Sequence, residues 1–347
     1  MKKVIFALAA VVALAACSKE QTVVMPEGNA IGFNTFVDKA TRSVNDPSLT
    51  SSTLADFAVF GYVEGAVLFD GTRVAKVGTD DAIDNSDLKN TDWKYEGTQY
   101  WIAGANYNFN AVAPFSGNWT KVDNGTDASK TTVSFTNNGT TDLLYATTTQ
   151  EGKVSENDAV EFNFRHVLSK VKFSFENGYN ATNATIKVKD IVITNPHKTA
   201  TAVLTGETVW SGLATANGFT LDFGMATDAE ATTDANENVE VAYAYGATYE
   251  SQNERFLIPS AEYAYNVTFT VELLVSGTKV AEYNHTATAK FAPAAGNAYD
   301  IKTVINASNI DPNNEQEPIE FTVNALPGWG PTNNVEADGD YDPTPEQ

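Results

Sequence analysis

The sequence is poor in the residues that carry out chemistry. It holds one cysteine and three histidines in 347 residues. Cys17, alone, can form no internal disulfide and no cysteine-pair metal site. His166, His197 and His285 lie too far apart in the chain to make a metal-ligand motif, and each reads as a packed or exposed histidine. No Gly-x-Ser-x-Gly elbow, His-Glu-x-x-His pair or phosphate loop is present. Acidic pairs such as Asp80-Asp81 fall in polar turns, where a carboxylate has no reason to hold its proton. The run Glu336-x-Asp338-x-Asp340-x-Asp342 lacks the glycine turn and distal glutamate of a calcium loop. The chain is therefore expected not to be an enzyme, and no metal or cofactor is expected.

Positive charge is scarce as well. Lys and Arg number 22 against 44 Asp and Glu, a net charge of −22. A surface this acidic repels nucleic acid and anionic lipid, so neither is an expected partner. Long apolar runs are missing after the N-terminus, and no window of a dozen residues carries a helical stripe.

What is present begins with residues 1–16, which read as a secretory signal: Lys2 and Lys3, then the apolar run Val4 to Leu14. Leu14-Ala15-Ala16-Cys17 resembles a lipobox, the site where bacterial lipoprotein signals are cut and the cysteine is acylated. Acylation would also account for an unpaired thiol in an exported chain. Removing Lys2 and Lys3 with the signal changes the charge to 20 − 44 = −24. Residues 17–30 read as a lipid-anchored tether and residues 331–347 as an acidic disordered tail.

Between them the pattern is strand after strand. Ile31 to Val37 is a short apolar strand, followed by a polar, proline-containing loop from Asp38 to Thr53. Phe57 to Tyr62 is apolar on both faces, whereas Tyr107, Phe109, Ala111 and Ala113 alternate with asparagines at period two. Val171, Phe173 and Phe175 alternate with Lys170, Lys172 and Ser174, and Val267 to Val275 with Lys279 to Phe291 forms a hairpin about Ser276-Gly277-Thr278. The spacing predicts an all-β chain of β-sandwiches, divided into residues 31–165 and 166–330. Trp93, Tyr95, Tyr100 and Trp101 cluster, as do Tyr243, Tyr245 and Tyr249. Such groups usually pack in sandwich cores. Exposed, they would grip sugars, and Trp93 and Trp101 are the residues that a lipid-anchored, non-polymerising glycan-binding protein would use.

The order of segments resembles the fimbrillins, the lipoprotein-derived pilins of the type V pilus. The matching pieces include Ile31-Gly32-Phe33-Asn34-Thr35-Phe36, Lys39-Ala40-Thr41-Arg42, Phe57-Ala58-Val59-Phe60-Gly61-Tyr62 and Phe256-Leu257-Ile258-Pro259. The most telling is Phe162-Asn163-Phe164-Arg165-His166-Val167-Leu168-Ser169-Lys170-Val171. The resemblance implies two tandem transthyretin-like β-sandwich domains and a precursor carried to the cell outer membrane on the Cys17 lipid. It implies cleavage by an arginine-specific surface protease, mapped here to Arg42, which discards the strand bearing Ile31, Phe33 and Phe36. A strand from another fimbrial subunit then fills the vacated groove; Ile319, Phe321 and Val323 have the alternation of a donor and equally of a resident last strand. The finished subunit would sit in a fimbrium and serve adhesion, with a host or bacterial glycan or protein as receptor. The chain after Trp329 is short and proline-rich, leaving little length for a donor extension, so stalk, tip and anchor subunits all remain open.

Overall fold

The computed structural model describes residues 30–37, 47–79, 92–122, 130–152, 159–227, 242–313, 317–326 and 329. Cys17 and Arg42 lie outside these residues, as does the acidic run after Glu336.

All regular structure among the described residues is β. In chain order the strands are β1 Phe33–Val37, β2 Asp56–Val63, β3 Ala66–Lys76, β4 Trp93–Tyr95, β5 Asn106–Ala113, β6 Trp119–Val122 and β7 Thr131–Thr136. There follow β8 Leu144–Glu151, β9 Val160–His166, β10 Ser169–Asn177, β11 Ala184–Ile193, β12 His197–Leu204, β13 Val209–Thr215, β14 Leu221–Gly224 and β15 Ala226–Thr227. The series ends with β16 Tyr243–Ala244, β17 Thr248–Ser251, β18 Arg255–Leu257, β19 Tyr263–Val275, β20 Thr278–Phe291, β21 Ala298–Ile305 and β22 Thr322–Leu326. Valine, threonine and aromatic side chains fill these strands, as a pleated, half-buried surface favours. The β19–β20 hairpin turns on Ser276 and Gly277, both at positive φ, and β2–β3 turns the same way on Glu64 and Gly65. Two consecutive positive-φ residues give a turn whose twist matches that of the flanking strands.

The chain divides into two compact units. One comprises residues up to Phe36, Ser51–Phe164 and His197–Thr215. Its larger sheet runs β1-β9-β8-β5-β2-β3-β4, and its smaller sheet β13-β12-β7-β6. A contiguous split near residue 165 would assign β12 and β13 to the second domain; instead β12 pairs antiparallel with β7 from Leu204↔Thr131 to Thr199↔Thr136. This inserted hairpin is built of threonine, alanine and glycine, which signal strands weakly.

The other unit comprises Val37–Thr50, Arg165–Pro196 and the residues after Thr215. One sheet runs β15-β17-β10-β21-β22, with β18 also on β10, and the other β14-β11-β19-β20. Phe173, Phe175, Val188, Val267, Phe269 and Ile301 belong to a single buried cluster drawn from both sheets, so this unit is a two-layer sandwich. β10 and β21 are parallel, while its other pairings are antiparallel.

Candidate functional site at the first strand

The larger sheet of the first unit curls until its ends meet. Ala30, just before β1, bridges antiparallel to Tyr100, just after β4, and the Ile31 N–H donates to the Gln99 carbonyl at 2.8 Å. On the other side the Val160 N–H donates to the Gly32 carbonyl at 2.8 Å. The Tyr95 hydroxyl donates to the Ile31 carbonyl at 2.8 Å and accepts from the Gln99 N–H at 3.1 Å. Burial pushes the Tyr95 hydroxyl up to about 12, although that Gln99 hydrogen bond opposes the shift. β1 is thus the seam of a closed sheet, held on both flanks by a few backbone hydrogen bonds.

The seam strand carries the centre of the core. Phe33 is fully buried, and its ring lies 5.6–6.3 Å from the rings of Phe57, Phe69, Tyr95, Phe109 and Phe162. Four of these contacts are edge-on and one is stacked, the arrangements that ring quadrupoles prefer. Gly61 allows this packing, since a Cβ there would stand 2.6 Å from the Phe69 ring and 3.2 Å from that of Phe109. Ile31 and Val37 are buried with Phe33, one period-two face of the strand. Phe36, grouped with them from sequence, is 53% exposed. Alternation from Phe33 directs Thr35 toward the interior and Phe36 outward.

The candidate donor residues lie in the second unit. β22 is an edge strand antiparallel to β21, with Val323 opposite Ile301. Ile319, Phe321 and Val323 are half-buried against that unit's core, and the Phe321 ring is 5.7 Å from Phe173. In this structure they are therefore resident in their own chain.

Sequence reasoning missed Trp329. It is 3% exposed, stacks on His166 at 4.5 Å, and donates from Nε1 to the Ser48 hydroxyl at 3.0 Å. The Lys170 ammonium lies 5.5 Å from its ring centroid and pairs with Glu254 at 2.9 Å, both side chains being almost fully buried. Ser48, expected in an exposed loop, is accordingly buried. A tryptophan beyond the last strand pattern was the one sequence signal for this anchor.

The remaining candidates do not converge on chemistry. His166 lies against Trp329, His285 stacks on Phe269 at 5.0 Å, and His197 sits in the first unit, where burial lowers its pKa. Among the described residues no group of three or more His, Cys, Asp or Glu is placed to hold a metal. Trp93, Tyr95 and Trp101 are core residues at 4%, 1% and 3% exposure, so they present no sugar platform; Tyr243 is buried too, while Tyr245 is exposed.

No curated protein matches the chain. Solved structures that resemble it include a Bacteroides ovatus protein and a Bacteroides eggerthii protein, both provisionally named as cell adhesion proteins. The first is 15% identical, with 85% of this chain and 95% of that chain covered at a TM-score of 0.45. The second is 14% identical, with coverage of 87% and 97% at a TM-score of 0.45. The fimbrial anchor protein Mfa2 of Porphyromonas gingivalis is 13% identical, with coverage of 87% and 98% at a TM-score of 0.35. The fimbrillin-like family model matches residues 41–325. The chain belongs to the fimbrillin-like family.

Proposed function

We propose that this chain is a structural subunit of a surface fimbria, exported as a lipoprotein and assembled by strand exchange, with adhesion as its role. On this reading Cys17 carries the lipid that holds the precursor at the outer membrane. An arginine-specific surface protease cuts after Arg42, β1 leaves, and a strand from another subunit takes its place. The observation that carries the reading is the position of Phe33: a five-residue seam strand supplies the central ring of the core. Two buried side chains of this unit, Ile31 and Phe33, put roughly 3–6 kcal/mol of apolar burial into it, at about 1.5–3 kcal/mol each. A slot of that kind, lined by unpaired backbone groups and apolar pockets, is filled by β-augmentation.

Ile319, Phe321 and Val323 are the candidate donor face. Their edge position leaves the β21 ladder as the one strand pairing to break, together with the hydrogen bond from the Thr303 hydroxyl to the Glu320 carbonyl at 2.8 Å. Release would also have to draw Trp329 away from Ser48 and His166. A tethered, non-polymerising glycan-binding protein is the weaker reading, because Trp93 and Trp101 are buried.

Limited trypsin digestion of the purified chain tests the proposal. The expected result is a cut at or near Arg42, loss of the β1 fragment, and a ladder of multimers on gels. The double variant Lys39→Ala/Arg42→Ala should remain uncut in this segment and monomeric. Wild-type protein cleanly cut at Arg42 yet still monomeric would overturn the reading.

A further inference from the structure

We infer that the outer face of the β6-β7-β12-β13 sheet is a lateral contact surface for a second copy of this chain. The pairing registers align its outward side chains in rows across all four strands. Thr120, Ser134, Thr201 and Ser211 form one row of hydroxyls. Val122, Thr132, Val203 and Val209 form the next, with Val122 38% and Val209 58% exposed. Thr136 and Thr199 continue the face. None of these residues is charged, in a chain whose net charge is −22. The basic residues within these strands turn the other way: Lys121 reaches Asp70, and Lys198 donates to the Asn137 carbonyl at 2.8 Å. Among the described residues charge begins at the rim, with Lys130 and Glu207, which are of opposite sign.

The chemistry of the face selects its occupant. Two copies of so acidic a chain repel one another wherever their carboxylates meet, and a neutral face is where they can approach without that cost. The rows are compatible with a two-fold arrangement, in which the same patch serves both partners. A sugar is disfavoured, because the aromatic residues of this sheet lie on its inner face. Trp210 packs on Phe135 at 5.9 Å and Trp119 on Phe60 at 6.3 Å. An anionic membrane is disfavoured, because no lysine or arginine stands in the outward rows.

The size of the face sets the strength of the contact. Four strands at about 4.8 Å spacing and five residues at about 3.4 Å give roughly 300 Å² per copy. Stable complexes bury about 800 Å² per partner. The contact is therefore weak between free molecules and effective where many copies are held side by side. It does not depend on strand exchange.

Chemical cross-linking of the purified, uncut full chain at high concentration tests it. Ser134→Cys is treated with a short thiol-to-thiol linker and compared with wild type, which reports any Cys17 background, and with Thr288→Cys on the charged β20. The expected result is several-fold more dimer from Ser134→Cys than from either control. That excess should vanish when Thr201→Lys or, at the exposed edge strand, Ser211→Lys is added. Equal yields from Ser134→Cys and Thr288→Cys would overturn the inference, as would an excess that survives Ser211→Lys in a protein melting like wild type. Loss of the excess on adding a neutral soluble glucan would also overturn it, assigning the face to a sugar.

Discussion

Replacing Phe33 with alanine removes the ring at the centre of the first unit's core, and the consequence differs before and after cleavage. In the uncut chain the ring is fully buried among five other rings. Deletion of such a side chain costs about 3–5 kcal/mol, combining lost transfer energy with the cavity left behind. Phe36→Ala is the matched control: it removes the same group from the same strand at a position 53% exposed, and should cost under about 0.5 kcal/mol. Urea unfolding followed by fluorescence reads both. With two compact units, two transitions are expected, and Phe33→Ala should lower only the midpoint of the one belonging to the β1 unit. After cleavage at Arg42 and assembly, residue 33 has been discarded, so polymers made from Phe33→Ala and from wild type should be equally stable. A Phe33→Ala cost below about 1 kcal/mol in the uncut chain would refute the packing argument. A difference that persists in the polymer would refute the displacement argument.

Other perturbations address separate parts of the account. Gly61→Ala forces a methyl to within 2.6 Å of the Phe69 ring, and the overpacking should cost about 1–3 kcal/mol in the same unfolding assay. Lys170→Met leaves Glu254 buried without its cation and should destabilise the second unit by about 3–5 kcal/mol. The double variant Lys170→Met/Glu254→Met should recover most of that loss, since an apolar pair of similar volume carries no unpaired charge. Burial raises the hydroxyls of both Tyr95 and Tyr265 from 10.0 to about 12. The folded state then holds protons that the unfolded state releases, so stability is intact below pH 10 and falls between pH 10 and 12. The slope approaches about 1.4 kcal/mol per pH unit for each tyrosine. Melting temperatures across that range, with Tyr95→Phe and Tyr265→Phe as references, measure it.

Much of this fold was legible in the sequence because its strands carry strong period-two signals. Tyr107 to Ala113, Val171 to Phe175 and the hairpin about Ser276-Gly277 all occur as strands. The aromatic cluster around Trp93 and Trp101 packs inside, as sandwich cores favour. Phe36 shares β1 with Phe33 but faces outward, because apolar character alone does not give phase; the buried face is fixed by Ile31 and Phe33, two residues apart. β12 and β13 were missed because threonine and alanine carry little contrast between faces. Their insertion into the first unit depends on long-range pairing with β7, which no local pattern reports. Of the Trp329 anchor the sequence offered the tryptophan alone, since Ser48, His166, Lys170 and Glu254 gather around it in the folded chain.

The claim that β1 is a removable strand is tested most directly by the N-terminal residue of the chain recovered from surface fibres. Ser43 is the expected residue, with residues 31–37 absent from the assembled material. Fibres built from chains that still begin at a lipid-blocked Cys17 and retain Phe33 would contradict it.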